Sequence, residues 1–434
     1  MSVTPIPRFV RPVPRPLGLY FHAGFNAHTT LSELLANGQR SYHGVVVDAT
    51  RVKRHADLLR GAERSRLECI LDPCTQASAT VGGYTDKHGN LPWGRRRPHV
   101  VGDFKGVALK EFTGALADFA VKHRFSEVMA PTHYIENSDS PWVQVDVESS
   151  HAIREALDRA GGKNIEVIYP LCVSYSLVRD EDQRESLINR LGQDLPVHSL
   201  WLRVDGCGAG SNPTQLRNYF YACRDFAAVG LPLVADQIGG LPGLSLLAFG
   251  AVGGIATGVA LGERFDASPW HRLRVSSEGF SPLPRVYLPS VDLMLKPVEA
   301  RQLFDRHIRL KAKFGCSDPD CCGRGLSDML EKPARHFVVQ RINQIADLSQ
   351  HAESVRPAVF LDRIVRPMTD QALSLSKITG LDEELAGRLS KHRHRLDATR
   401  VMLGKLLQPQ SIDRPTLRVP QTRVMREGPS LGRI

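Results

Sequence analysis

Ser199-Leu-Trp-Leu-Arg-Val-Asp205-Gly-Cys-Gly-Ala-Gly210-Ser-Asn212-Pro213 is a short apolar run ending in an aspartate, followed by a glycine-rich turn and a proline. The segment from Pro213 to Val229 then carries helical periodicity, so the stretch reads as one β-turn-α unit. The same rhythm repeats along the first 275 residues. Candidate strands are Leu17 to Ala23, Gly44 to Asp48, Leu67 to Asp72, Glu127 to Pro131, Ile165 to Leu171, Ser199 to Asp205, Leu231 to Asp236 and Ala251 to Thr257. Helical stretches lie between them at Leu109 to His123, Ser149 to Ala160 and Asp182 to Leu191. Eight such units predict a (β/α)8 TIM-like barrel of the α/β class. A doubly wound open sheet is the rival, but no Gly-x-Gly-x-x-Gly follows the first strand, where Leu19 to Gly24 runs into Phe25-Asn26-Ala27-His28.

With 434 residues, 42% hydrophobic and 24% charged, the chain has the material for one large domain and appendages. It contains no run of eighteen apolar residues and no apolar core near Met1, which predicts a cytoplasmic protein that does not enter a membrane. Cys69, Cys74, Cys172, Cys207 and Cys223 are scattered without disulfide spacing, as expected of reduced thiols. The net charge of +10 is concentrated at Arg51 to Arg54, Arg95 to Arg97, Arg306 to Lys313, Lys391 to Arg400 and the tail, which points to phosphate-bearing partners.

A barrel of this class keeps its chemistry at the C-terminal ends of its strands. Read in order, those ends are His22, Asp48, Asp72, His133 with Glu136, Ser174 with Tyr175, Asp205 and Asp236. Each aspartate alone reads as a helix cap; four at equivalent positions read as a site. Asp72, Asp236 and Asp205 are the candidate catalytic residues. After Asp72 comes Pro-Cys-Thr-Gln76 and a long excursion, residues 77–103, with Trp93 and Arg95-Arg96-Arg97, the composition of a substrate loop that stacks bases and grips phosphates. Gly206, Gly208 and Gly210 predict a turn whose backbone amides hold an anion or a planar base. His22 and His28 are six apart and do not form a His-x-His metal pair, which leaves a metal-dependent barrel hydrolase as a lesser alternative.

Cys316-Ser-Asp-Pro-Asp-Cys321-Cys322 follows, with His336 fourteen residues beyond. Three thiolates and an imidazole close a four-coordinate structural Zn²⁺ site, although the adjacency of Cys321 and Cys322 leaves open whether both bind. The chain therefore divides into a Pro/Arg-rich leader (1–16), the barrel (17–275), a zinc-binding subdomain (276–350), a C-terminal helical segment (351–407) and a flexible tail (408–434). In the C-terminal parts Ser327 to His351 and Leu373 to Leu406 read as helices, the second with a hairpin turn at Ile378-Thr-Gly380, and Pro357 to Pro367 as a separator.

A barrel followed by a cysteine-rich module whose histidine opens a helix resembles the tRNA-guanine transglycosylase superfamily, including its DNA-directed 7-deazaguanine relatives. His336-Phe-Val-Val-Gln-Arg341-Ile is similar to that family's zinc-histidine helix, Asp72 with Gln76 to its base-recognition strand end, and Asp205 to Gly210 to its base-binding turn. The resemblance spans roughly residues 17 to 350. It implies a glycosyltransferase that exchanges a guanine-type base in tRNA or DNA for a 7-deazaguanine through a carboxylate nucleophile. Asp236 or Asp205 would be that nucleophile, Asp72 the acid/base, and Gln76, Gly206, Gly208, Gly210, Arg95, Arg96 and Arg97 would bind substrate. Implied partners are nucleic acid and a free purine or 7-deazaguanine base, with a homodimer or protein partner as a further expectation. The chain departs from the family in its Cys-x4-Cys-Cys spacing and in strand eight, where Ile255-Ala-Thr257-Gly258 replaces the nucleophile-bearing segment. A noncatalytic nucleic-acid-binding barrel is therefore the main alternative.

Overall fold

Eight short parallel strands close on themselves: β1 (Gly18–His22), β2 (Gly44–Asp48), β3 (Glu68–Asp72), β4 (Glu127–Met129), β5 (Glu166–Val173), β6 (Ser199–Val204), β7 (Leu233–Asp236) and β8 (Gly254–Gly258). The structure is a computed structural model and describes residues 17–38, 41–192, 194–273, 285–306 and 308–407, so the expected leader and tail lie outside the described residues. Closure is made by β8, which pairs with β1 from Gly18↔Gly254 to His22↔Gly258. All eight expected strands are present, and the barrel is the observed fold.

Tyr20, Val46, Ile70, Met129, Ile168, Trp201, Val234 and Ala256 form one buried cluster with a single residue from each strand. That layer fills the barrel interior. Because strand side chains alternate with period two, the residues two positions further along point to the same interior at the C-terminal end. These include His22, Asp48, Asp72, Arg203 and Asp236, which places a polar mouth above an apolar plug.

The covering helices include Gly106–Lys122, Trp142–Arg159, Glu181–Leu191 and Pro213–Phe226. The last begins as its sequence demands: Asn212 and Gln215 cap each other reciprocally, and Pro213 occupies the first turn where its missing N–H is no loss. Trp142–Arg159 starts seven residues before its expected beginning. Its first turns carry Gln144, Asp146 and Glu148, which hide the apolar period, but Asp146 is buried there by a partner, His133.

After the barrel, strands Val286–Leu288 and Leu293–Leu295 pair as an antiparallel hairpin. The expected helix Ser327 to His351 is interrupted at Lys332, because Pro333 opens a new helix, Pro333–Ser349. The expected separator Pro357 to Pro367 is instead helical. Pro357 sits in a first turn, and Pro367 directly follows a π turn, Leu361–Val365, within one continuous helical run from 356 to 376. The hairpin turn near Gly380 is present, with Glu383–Leu407 returning along Arg366–Ser376.

Candidate active site and candidate metal centre

At the barrel mouth Arg203 of β6 donates from Nε and Nη2 to Asp236 Oδ2 at 2.9 and 2.6 Å, and His22 Nε2 lies 2.7 Å from Asp236 Oδ1. Arg203 Nη2 also stands 3.9 Å from Asp72 Oδ2. One guanidinium thus joins the ends of β3 and β7. Asp72 Oδ1 accepts the Cys74 amide at 2.8 Å, and Cys74 turns the chain with a left-handed φ of 61°. Asp48, in register beside Asp72, accepts from the Thr50 amide and hydroxyl and lies 3.4 Å from Arg51 Nε.

The environment separates these carboxyls. Burial alone would raise Asp236, but the Arg203 charge and the His22 contact outweigh it and hold the group well below the ordinary carboxylate range. Burial dominates at Asp72, where it outweighs Arg203 and raises the carboxyl. A firmly ionised carboxylate and an adjacent one that retains its proton more readily are the division of labour acid/base chemistry needs.

Asp72 and Asp236 both lie beside Arg203; Asp205 does not join them. Its carboxylate accepts the Ala267 amide at 2.7 Å and faces the Tyr134 hydroxyl at 3.5 Å, tying down the loop after β8. Asp236 is itself fully buried, with both oxygens occupied, so it anchors Arg203 and His22 as it stands. Arg203 was not among the sequence candidates. Its signal is an arginine in the inward register of an apolar strand, Ser-Leu-Trp-Leu-Arg-Val. Its guanidinium lies between the carboxylates of Asp72 and Asp236.

Gln76 is 3% exposed, and its amide Nε2 has no hydrogen-bond partner among the described residues. The same holds for Thr75 Oγ1. His133 and Ser174, read as rim groups, serve the scaffold: His133 links Asp146 (2.8 Å) to His99 (3.0 Å), and Ser174 caps the helix Tyr175–Arg179.

The glycine turn departs from its expected role. The amides of Gly206, Cys207, Gly208 and Ala209 are spent on Phe265, Val204, Ser211 and Glu263, so they make no open anion nest. Gly208 is needed for close approach instead, since a Cβ there would stand 2.3 Å from Arg264 Cα. Gly210 lies under the C-terminal helix, where Arg395 donates to Ala209 O at 2.9 Å. In the long loop, Trp93 packs against Phe112 and Phe119 in the core and offers no face to a base. Arg97 is bound by Asp103 through two hydrogen bonds, Arg95 is half-buried beside Thr75 and His99, and Arg96 is exposed.

Cys316, Cys321, Cys322 and His336 bring their ligand atoms within 4.8 Å of one another. Cys316 Sγ lies 3.6 Å from Cys321 Sγ, and His336 Nδ1 lies 3.6 and 3.4 Å from Cys321 and Cys322. A tetrahedron with ordinary Zn–S and Zn–N lengths has edges of about 3.5–3.8 Å, so the four donors fit one ion and both adjacent cysteines face it. His336 Nε2 meets Tyr287 O at 2.9 Å, which fixes Nδ1 as the free nitrogen. A hydrogen bond from Cys322, assisted by His336 and Gln340, lowers the Cys321 thiol against the effect of burial. On the same helix, five residues on from His336, buried Arg341 donates to Glu263 at 2.8 Å and so ties the metal subdomain to the loop after β8. A second group, Glu127, Glu166 and His198, lies at the opposite barrel end, and each ring nitrogen of His198 there faces a different carboxylate.

No protein-family profile matches the chain, and no curated protein matches it by sequence. Among solved structures it is similar to a GH10 endoxylanase from a sugarcane soil metagenome, at 11% identity and a TM-score of 0.34, covering 50% of this chain and 65% of the xylanase, just under two thirds of its length. A GH5-4 endoglucanase from an uncultured bacterium is 10% identical, with a TM-score of 0.38 and coverage of 59% and 93%. Orotidine 5'-phosphate decarboxylase from Pyrococcus horikoshii is 12% identical, with a TM-score of 0.33 and coverage of 59% and 100%.

Proposed function

We propose that the chain is a transglycosylase-like barrel enzyme that exchanges a guanine-type base in tRNA or DNA for a 7-deazaguanine, with a structural Zn²⁺ held by Cys316, Cys321, Cys322 and His336. The observation that carries this reading is Gln76, a buried amide donor without a partner among the described residues, four residues beyond a carboxyl that burial raises. Buried polar groups are nearly always satisfied, so this one suits a ligand that brings its own acceptor, such as the edge of a base. The Cys3His set behind the barrel, on a helix tied to the loop after β8, supports the same architecture.

In this scheme a carboxylate oxygen bonds to the anomeric carbon as the glycosidic C–N bond breaks, and Asp72 gives its proton to the departing base. The incoming base reverses both steps. Gln76 orients the base. Asp205 or Asp236 is the attacking carboxylate, and Asp236 can attack only after releasing Arg203 or His22. Cys316, Cys321, Cys322 and His336 would fill all four positions of a zinc ion, which would then contribute to the fold.

Labelled guanine offered with tRNA or duplex DNA tests the reading. Incorporation that disappears in Asp72→Asn, and a denaturation-resistant protein–nucleic acid adduct lost in only one of Asp205→Asn and Asp236→Asn, would support it and name the nucleophile. No incorporation with either polymer counts against it. The second reading, a noncatalytic nucleic-acid binder, is favoured by the carboxylate-free end of β8 and the saturated Asp236. It predicts salt-sensitive binding that Asp72→Asn leaves intact.

A further inference from the structure

The loops after β1 and β2 meet at a corner of the C-terminal face built from Phe25, His28, Arg51, Arg54 and His55. Phe25 is 55% exposed, although nothing about an isolated phenylalanine favours that position. The Arg54 guanidinium lies 3.9 Å from its ring centroid and that of Arg51 5.5 Å away. Behind them the His28 and His55 rings stack at 4.5 Å. His55 is fully buried, yet neither of its ring nitrogens has a hydrogen-bond partner among the described residues.

The corner also carries a surplus of positive charge. Asp48 and Asp57 are the carboxylates acting on the two rings, and both are already engaged, Asp48 by Thr50 and Arg51 and Asp57 by Arg60. Burial, then the neighbouring His28 and Arg51, push His55 down to about 4. Two arginine guanidinium groups, beside orphaned imidazole nitrogens and an exposed aromatic face, form a surface whose missing member is an anion with a planar group attached. A phosphodiester and its base have that chemistry. The place is also right. Asp48 closes β2 in register with Asp72, so a strand held here lies against the mouth.

We propose that this corner docks the nucleic-acid substrate, with Arg51 and Arg54 holding a backbone phosphate and Phe25 stacking the adjoining base. The choice of a polymer rests on the base-exchange reading; the site itself rests on the corner's geometry.

Fluorescence anisotropy of labelled tRNA and duplex DNA over a salt series tests it, using wild type, Arg51→Ala/Arg54→Ala, Phe25→Ala and the exposed control Arg363→Ala. The double variant should bind at least about tenfold more weakly, with a log–log salt slope smaller by about one. Phe25→Ala should weaken binding about fivefold or more at an unchanged slope. Arg363→Ala should match wild type. Unchanged affinity and slope in the double variant, with unchanged melting, overturns the proposal. So does calorimetry in which inorganic phosphate alone binds wild type as tightly as the polymer, because the corner would then serve a free anion. Wild-type base exchange with unaffected variants sinks this inference and leaves the enzyme reading standing. Weakened variants without any exchange do the reverse.

Discussion

Arg203 donates two hydrogen bonds to a single oxygen of Asp236, and both side chains are sealed from solvent at the barrel mouth. Such a pair is costly to assemble and more costly to break, because either partner left alone is a buried, uncompensated charge. Asp236→Asn should therefore destabilise the fold by about 3–5 kcal/mol in urea unfolding. The pH dependence follows from the direction of the shift. The folded-state carboxyl is depressed, so its contribution is fully present above the unfolded value of about 3.9 and fades as pH falls below it toward the folded value. Wild type should lose stability through that acid range, and the variant should lack this component. Equal acid profiles for the two proteins would show that the pair carries no such linkage.

Asp72 has the opposite sign. Its folded carboxyl is raised, so the native state holds the proton longer, and ionising it costs stability as pH climbs from about 3.9 through the folded value. Asp72→Asn should thus be at least as stable as wild type at pH 7 while base exchange falls about a hundredfold or more. Gln76→Leu makes a matching pair, since it removes an unpartnered donor; stability should hold while exchange drops. Thermal melts beside exchange rates decide both, and a large melting loss in Gln76→Leu would mean the amide has a structural partner.

The fold was legible in the sequence because eight short β-rich runs alternate with periodic helices, a pattern set by local residue choice. Asp72 and Asp236 were legible for the same reason, as they end strands. What escaped were properties set by distant partners. Arg203 sits in an apolar run and declares its role only when β7 delivers Asp236 beside it. The glycine turn offered free amides until the loop around Glu263 and Phe265 came back to take them. Trp93, surrounded in sequence by glycine and arginine, is buried by aromatics of a helix that starts thirteen residues later, Gly106–Lys122. The prolines at 357 and 367 were read as a separator, whereas a first turn accepts Pro357 and a π turn precedes Pro367 within the helix.

Gly208 isolates the contact between the turn and the returning loop. A methyl group there meets Arg264 backbone at 2.3 Å, and backbone cannot step aside as a long side chain would. Gly208→Ala should cost about 1–3 kcal/mol by chemical denaturation and loosen the loop after β8, visible as faster amide exchange at Ala209 and Gly239, which both donate to Glu263 O. Alanine tolerated without loss would mean that the two loops separate freely.

The adjacent cysteines give the sharpest test of the metal centre. Both Cys321 and Cys322 approach His336 Nδ1, and Cys316 completes the set, so one tetrahedral ion per chain should bind all four residues. Elemental analysis should return about one zinc per chain. Replacement by cobalt(II) should give the intense visible bands of a tetrahedral site with thiolate-to-metal absorption. Cys321→Ser and Cys322→Ser should each weaken that absorption, whereas Cys207→Ser, whose thiol lies in the barrel, should not. Because the ligand helix also carries Arg341 to Glu263, metal removal should lower the melting temperature of the whole chain rather than of a detached module. If one of the two adjacent serine variants keeps the full cobalt spectrum, that cysteine is a bystander and the centre has another fourth ligand.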